Sequence, residues 1–288
     1  MMDKRGLSAN SAPHIMTPTH AIHTKWQACM IQRIKSIYTY RDMISSLVRR
    51  ELRGRYKGSI LGFLWTYINP LCQVVVYSAV FSVIFRVDID KFYLYLIIGM
   101  MPWTFFNTAV QGGTTCIRAQ ADMVKKIYFP REVIPISYVT SAFVNMLFSF
   151  IIVFLAVLVS GFGFYWKGML YLPIIMLFEY LLALGTAFAV SAATVYFRDL
   201  EQIVSVVMMA WIYVTPIMYT IDYVPEQYRF LVVLNPMTPI VEVYHQILYY
   251  RMVPTPGYLL LAGAAGCAVF AAGFLLFAVL ERNFAEEM

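Results

Sequence analysis

A strongly basic segment near the start of the chain runs without a break into a long stretch that carries no charge. Five cations lie within nine residues, at Arg49, Arg50, Arg53, Arg55 and Lys57, and the next charged residue is Arg86. A helix needs about 20 apolar residues to cross the hydrocarbon core of a bilayer, which is about 30 Å thick. Cations gather at the cytoplasmic end of such helices, where anionic head groups attract them. The junction therefore predicts a membrane span that begins on the cytoplasmic side.

The composition extends this conclusion to the whole chain. Hydrophobic residues make up 60% of the 288 residues, charged residues make up 13%, and the mean hydropathy is +0.67. A soluble globule of this size needs far more polar surface, so the chain is predicted to be an all-α integral membrane protein. The four cysteines occur singly and are interpreted as free thiols. No disulfide, metal site or nucleic-acid partner is predicted.

Six transmembrane helices are predicted from the apolar runs, at residues 61–85, 93–110, 134–160, 169–195, 203–220 and 258–280. With this assignment the inner segments hold 17 basic residues and the outer segments hold five. An excess of cations on one side follows the positive-inside rule, and here it depends mostly on the N-terminal segment. The sequence therefore predicts a multi-pass plasma-membrane protein with both termini in the cytoplasm.

The region before the first span divides into two parts. Residues 1–24 contain no apolar run long enough for a span or a signal peptide and are predicted to form a disordered cytoplasmic tail. Residues 25–58 carry apolar and basic residues at helical spacing, which predicts an amphipathic helix in the cytoplasmic interface. Gly54, Gly58 and Gly62 follow as either a flexible elbow or a face for close backbone approach. Residues 59–288 form the six-span domain.

The segment between the fifth and sixth predicted spans is apolar but interrupted. Asn235, Pro236 and Pro239 divide it, and neither half is long enough to cross a bilayer. The simplest fold is a re-entrant helical hairpin, at about residues 225–250, that dips in from the outer side and returns.

Motifs for catalysis are missing from the sequence. It contains no GxxxxGK[ST] phosphate-binding loop, no HExxH and no GxSxG. No catalytic residue is therefore assigned, and the chain has no visible means of using ATP by itself. Glu242 and His245 stand three residues apart on the hairpin. They are interpreted either as an acid/base or metal pair or as two side chains that hydrogen-bond each other.

Three polar residues inside predicted spans are candidates for lining a passage. Glu179 either lines such a passage or is a structural acid capped by a partner. Asn69 and Gln73 interrupt the first span, so the face that carries them is predicted to look into protein or a cavity.

Two predicted inner loops are short, charged and held between long spans. Their charged and aromatic residues are Lys125, Lys126, Tyr128 and Arg131 in the first loop and Arg198, Asp199 and Glu201 in the second. A short loop transmits motion from a soluble partner, whereas a long flexible loop would absorb it. Both loops are therefore predicted to dock on a soluble subunit and to couple its movements to the spans.

Five motifs, in their order and spacing, resemble the permease subunits of ABC-2 type exporters for lipid-linked polysaccharides. They are RRELRGRYKGSILGFLWTYINP, VKKIYFPREVIP, YFRDLEQI, TPIMY and NPMTP. The group includes exporters of wall teichoic acid, O-antigen and capsule, and the resemblance covers roughly residues 30–285.

The resemblance implies a homodimer of six-helix permeases bound to two ABC ATPase subunits. ATP and Mg would be held by those subunits, and no cofactor is expected in this chain. The implied substrate is an undecaprenyl-diphosphate-linked polymer, with teichoic acid as first choice and an O-antigen or capsular polysaccharide as the alternative. The basic segment 49–57 would bind the lipid head group at the inner entrance or would only anchor the preceding helix to anionic lipid.

Two other functions compete with polymer export. A polytopic lipid-modifying enzyme would use the basic inner face to hold a phosphorylated lipid, and an ABC-2 exporter of small drugs would need no passage for a long polymer.

Overall fold

The structure, a computed structural model, describes residues 36–56, 61–84, 88–281 and 284. The described residues 36–41 belong to one unit, in which the Arg41 guanidinium lies 5.0 Å from the centre of the Tyr38 ring. The described residues from 42 onward belong to the other unit. The predicted tail, residues 1–24, lies outside the described residues. All regular elements in the described ranges are helical, so the predicted all-α class is confirmed.

From residue 41 onward the α-helices follow one another with short connections. They are α1 (Arg41–Tyr56), α2 (Trp65–Ala79), α3 (Phe92–Cys116), α4 (Ala121–Lys126), α5 (Val133–Val159), α6 (Trp166–Met169), α7 (Leu172–Tyr196), α8 (Leu200–Val214), α9 (Glu226–Leu234), α10 (Met237–Leu248) and α11 (Pro256–Leu280). Helix α2 continues into a π-helical turn, Val80–Ile84.

Within the described residues, five segments are long and apolar enough to cross a membrane. They are Trp65–Ile84, Phe92–Cys116, Val133–Val159, Trp166–Tyr196 and Pro256–Leu280. The chain is thus a multi-pass membrane protein, as predicted. The predicted fifth span is shorter than expected, because α8 has 15 residues, which is about 22 Å of helix. Helix α8 ends where Thr215 turns to an extended conformation, which is the conformation that a following proline favours.

The second span was predicted to end at residue 110, just before Gly112 and Gly113, and this prediction is wrong. Helix α3 runs through both glycines to Cys116. A side chain at Gly112 would overlap the Tyr138 ring, and a Cβ at Gly113 would lie 3.1 Å from the Cα of Ala187. The two glycines are therefore contact points between helices and not a helix end.

Helix α3 lies at the centre of the packed spans. It contacts α2, α5, α7, α8 and α10, and 18 of its 25 residues are buried. The closest pair of spans is α7 and α11, where a Cβ at Gly273 would overlap the carbonyl oxygen of Gly185. Small residues at this crossing let the two backbones touch. Helices α3, α5, α7 and α11 are called the scaffold below.

The predicted hairpin consists of two short helices with different surroundings. In α10 every residue except Glu242 is buried, whereas in α9 the buried residue is Val232. The helices meet at Asn235 and Pro236, as the break in the apolar run predicts. Helix α10 is therefore part of the core, and α9 lies on its surface.

Candidate functional site

The two predicted docking loops lie side by side. The first connects α3 to α5 and includes α4, and the second is the turn between α7 and α8. Arg118, just after α3, places its Nη1 3.3 Å from Oε2 of Glu201 in the first turn of α8, and the two side chains are 38% and 37% exposed. An exposed ion pair of this kind contributes at most about 1 kcal/mol. Its main consequence is that the loops form one surface.

This surface exposes large apolar side chains among charged ones. Tyr128 is 98% exposed and Phe197 is 72% exposed, and Ile127 is also exposed. The exposed charged residues beside them are Lys125, Lys126, Arg198 and Asp199. Large aromatic side chains on a surface with a charged rim are typical of protein interfaces. Residues 125–128 and 197–201 are called the docking surface below.

Arg131, the remaining predicted loop residue, has a different environment. Its guanidinium donates a 2.6 Å hydrogen bond to the carbonyl oxygen of Glu281 and lies 5.5 Å from the centre of the Phe284 ring. Tyr196 donates a 2.7 Å hydrogen bond to the carbonyl oxygen of Leu280. These contacts hold the end of α11 against the two loops. Arg131 therefore attaches the docking surface to the spans.

The predicted head-group entrance begins on α1. Arg49, Arg50 and Arg53 are exposed, while Leu47 on the same helix is 5% exposed. Arg49 and Arg53 are four residues apart and share one side of the helix. The side chain of Arg55 and all of Lys57 lie outside the described residues.

Asn69 and Gln73, the two polar residues that interrupt the first span, line one cavity. The cavity has a volume of about 380 Å³ and lies between α2, α3 and α5. It is called the polar cleft below, because its lining includes the polar residues Thr66, Asn69, Gln73, Thr104, Thr108, Asn145 and Ser149.

Glu179 lies apart from the polar cleft. Its side chain is fully buried in α7, and the Tyr244 hydroxyl donates a 2.6 Å hydrogen bond to its Oε2. This contact joins a span to α10. The hydrogen bond from Tyr244 agrees with the interpretation of Glu179 as a structural acid capped by a partner. Of the three candidate lining residues, Asn69 and Gln73 lie together in the cleft and Glu179 does not.

Glu242 and His245 do not hydrogen-bond each other. The Nε2 atom of His245 lies 3.1 Å from the carbonyl oxygen of Tyr95, and the His245 ring stacks on the Tyr95 ring at 3.8 Å. Burial lowers the pKa of His245 to about 3. Burial and the nearby Asp222 carboxylate raise the pKa of Glu242 to about 7. Among the described residues no group of His, Cys, Asp and Glu is arranged to hold a metal ion.

Comparison with known protein families gives a match over most of the chain. The model of the ABC-2 type transporter family matches residues 43–249. The chain belongs to the ABC-2 type transporter family. The matched range includes most of α1, both loops of the docking surface and the α9–α10 pair.

Individual relatives are similar over most of their length. The O-antigen export system permease protein RfbA of Myxococcus xanthus is 32% identical over 261 residues, which cover 90% of this chain and 100% of the relative. A protein of the same name from Klebsiella pneumoniae is 30% identical over 249 residues, or 85% of this chain and 94% of the relative. The polysialic acid transport protein KpsM of Escherichia coli is 21% identical over 222 residues, or 75% and 82%.

One buried hydrogen-bond network in this ABC-2 chain was not predicted. Asn235 accepts hydrogen bonds at its Oδ1 from the Trp211 indole and from the Met237 backbone N–H, both at 2.9 Å. Its Nδ2 donates to the Thr215 hydroxyl at 2.8 Å. The network ties the end of α8 to the start of α10. The TPIMY and NPMTP motifs contain three of its four residues, so motif order was the available signal.

Proposed function

We propose that this chain is the transmembrane subunit of an ABC exporter that moves an O-antigen-type polysaccharide across the plasma membrane. ATP hydrolysis would take place on a separate subunit, which would also hold ATP and Mg. The observation that carries the proposal is the similarity to a named O-antigen export permease along that protein's full length. The ABC-2 family match over residues 43–249 supports membership of a transporter family independently of that relative.

Among polysaccharides, an O-antigen or capsular polymer is the better supported cargo. Teichoic acid, the first choice on sequence appearance, gains no support from the relatives, whose names refer to O-antigen and polysialic acid. The same relatives favour polysaccharide export over drug export and over a lipid-modifying enzyme.

The docking surface is proposed to bind the ATPase. Its support is the exposed Tyr128 and Phe197 beside Lys125, Lys126 and Arg198, on loops joined by the Arg118–Glu201 ion pair. Rigid attachment to the spans at Arg131 and Tyr196 would pass movement of the ATPase to α5, α8 and α11.

The topology proposed for this exporter has six crossings and both termini in the cytoplasm. Helix α8 and the residues after it would make the fifth crossing, and α9 and α10 would form the re-entrant pair on the outer side. The positive-inside count supports this orientation. Two copies are proposed to assemble with two ATPase subunits, with the basic segment 49–57 at the inner entrance for an undecaprenyl-diphosphate-linked polymer.

Deletion of the gene in its host tests the proposal. The O-polysaccharide should disappear from the cell surface, its lipid-linked form should accumulate inside, and a plasmid copy should reverse both effects. Immunoblots of intact and lysed cells separate the two pools, and sugar analysis of the accumulated polymer decides between O-antigen and teichoic acid. Unchanged surface polysaccharide, with no polymer accumulated inside, would contradict the proposal.

A further inference from the structure

Polar residues of three spans converge on the polar cleft. In α2 the lining residues Thr66, Asn69, Pro70 and Gln73 follow the spacing i, i+3, i+4, i+7. The same spacing recurs in α3 from Met101 to Thr108 and in α5 from Ala142 to Ser149. Residues at this spacing share one face of a helix. One face of each of these three spans therefore borders the polar cleft, and each of these faces carries polar residues.

Part of the hydrogen-bonding capacity of the cleft is unused. Throughout the described ranges, no side chain or backbone group hydrogen-bonds the amides of Asn69 and Gln73 or the hydroxyl of Thr108. Amides and hydroxyls without partners are strongly unfavourable in hydrocarbon, and polar residues at membrane depth commonly mark the path of a transported molecule. The cleft is thus equipped to hydrogen-bond something that this chain does not supply.

The chemistry of the lining selects the kind of ligand. None of the described residues that line the cleft is charged, so an ionised phosphate there would lack the cation that its burial requires. The amide and hydroxyl side chains of the lining both donate and accept hydrogen bonds and carry no charge. They therefore suit a neutral ligand whose hydroxyl groups do the same. Trp65 and Phe105 add aromatic surface to the same lining. The volume of about 380 Å³ lies in the range of small-molecule sites.

We propose that the polar cleft is a binding subsite for uncharged, hydroxyl-rich sugar units of the exported polymer. Asn69, Gln73 and Thr108 hydrogen-bond the sugar hydroxyls, and Trp65 contacts a sugar ring. The subsite rests on the proposed function, since it assigns a position inside the membrane to the cargo of that exporter. Several neutral hydrogen bonds hold a sugar weakly enough for it to move on, as conduction through a pore requires.

Saturation-transfer NMR on the purified permease–ATPase complex tests the subsite. The probe is the neutral oligosaccharide repeat released from the host's surface polysaccharide, and the variants are Gln73→Leu and the isosteric Thr108→Val. Each removes one hydrogen-bonding group, so affinity should fall about threefold to tenfold. The control is Ser82→Leu in the π-helical turn that continues α2; Ser82 lines a separate apolar cavity, so this change should leave affinity unchanged. Size-exclusion chromatography checks that every variant assembles.

Two results would overturn the subsite. One is equal affinity of the wild type, Gln73→Leu and Thr108→Val complexes for the oligosaccharide. The other is a disulfide between two copies that both carry Gln73→Cys, which would mean that a second chain covers the cleft. The deletion experiment stays independent of both: intact surface polysaccharide contradicts the proposed function, whereas lost polysaccharide with unaffected binding contradicts the subsite alone.

Discussion

The segments that contain α2 and α3 are both long and apolar enough to cross a membrane, but their surroundings are opposite. Helix α3 buries 18 of its 25 residues, whereas α2 buries Pro70 and Val74 among its 15. Helix α8 resembles α2, since its buried residue is Met208. A span that is barely covered by its own chain must be covered by lipid, by cargo or by another chain. The scaffold therefore maintains the fold, whereas α2 and α8, called the open helices here, have surfaces that this chain leaves largely uncovered.

Gly273→Ala tests the scaffold where its spans are closest. The added Cβ would overlap the Gly185 carbonyl oxygen, and backbone atoms cannot move aside cheaply, so we expect a loss of stability of about 3 kcal/mol or more. Thermal unfolding in detergent measures it. The matched control is Gly257→Ala on the same helix, where no atom lies within 4 Å of the added Cβ. Equal stability of the two variants would mean that α7 and α11 are not locked together.

Replacing one isoleucine by alanine in the first span, and another in the scaffold, tests directly whether the two regions differ in burial. Ile98 in α3 is 0% exposed and Ile84 at the end of the first span is 69% exposed. Ile98→Ala should cost about 3 kcal/mol because it leaves a cavity, whereas Ile84→Ala should cost less than about 0.5 kcal/mol. Chemical denaturation in detergent gives both values. A large loss at Ile84 would show that the open face is buried against a partner.

Asn235→Ala tests how the C-terminal end of α8 is attached to the start of α10. It leaves the Trp211 indole and the Met237 N–H without their acceptor, and we expect a loss of about 2 kcal/mol. Trp211→Phe removes one of these hydrogen bonds and should cost about 1 kcal/mol. Hydrogen exchange at residues 208–215 should rise in Asn235→Ala before the scaffold exchanges. Uniform exchange across all spans would argue against a local fastening.

A charge exchange between the loops should give the smallest effect. Arg118→Glu or Glu201→Arg alone places like charges at the 3.3 Å contact, and each should weaken coupled ATP hydrolysis slightly. The double variant should recover it, with a coupling energy of about 0.5 kcal/mol. A double-mutant cycle on ATPase rates measures this energy. Failure of the double variant to recover would show that the residues act separately.

Much of the fold could be predicted because bilayer thickness and charge asymmetry leave few alternatives. The spans at residues 134–160 and 258–280 were placed within two residues of α5 and α11. Two helix ends were missed for local reasons: α3 continues past the predicted end at residue 110, and α8 ends at Val214, before the predicted end at residue 220. Glycine marks a helix end in water but a contact point between spans, and Pro216 ends α8 earlier than its apolar run suggests.

Burial of the spans could not be predicted from apolarity. Lipid is as apolar as a protein core, so Ile84 and Ile98 satisfy the same pattern in different surroundings. Asn69 and Gln73 were found because polar residues in a span stand out. Thr108 and Asn145 were missed because one polar residue in a long apolar run is ordinary until the neighbouring helices are known.

The most direct test of the account is polymer export by a reconstituted complex. Permease and ATPase in liposomes, loaded from one side with the lipid-linked polysaccharide, should expose polymer to a glycosidase on the other side when Mg and ATP are present. We expect export to need both subunits and to fall about tenfold in Tyr128→Ala, which removes the most exposed aromatic side chain of the docking surface. Export without the ATPase subunit, or equal export by Tyr128→Ala, would contradict the claim that this surface couples ATP hydrolysis to the spans.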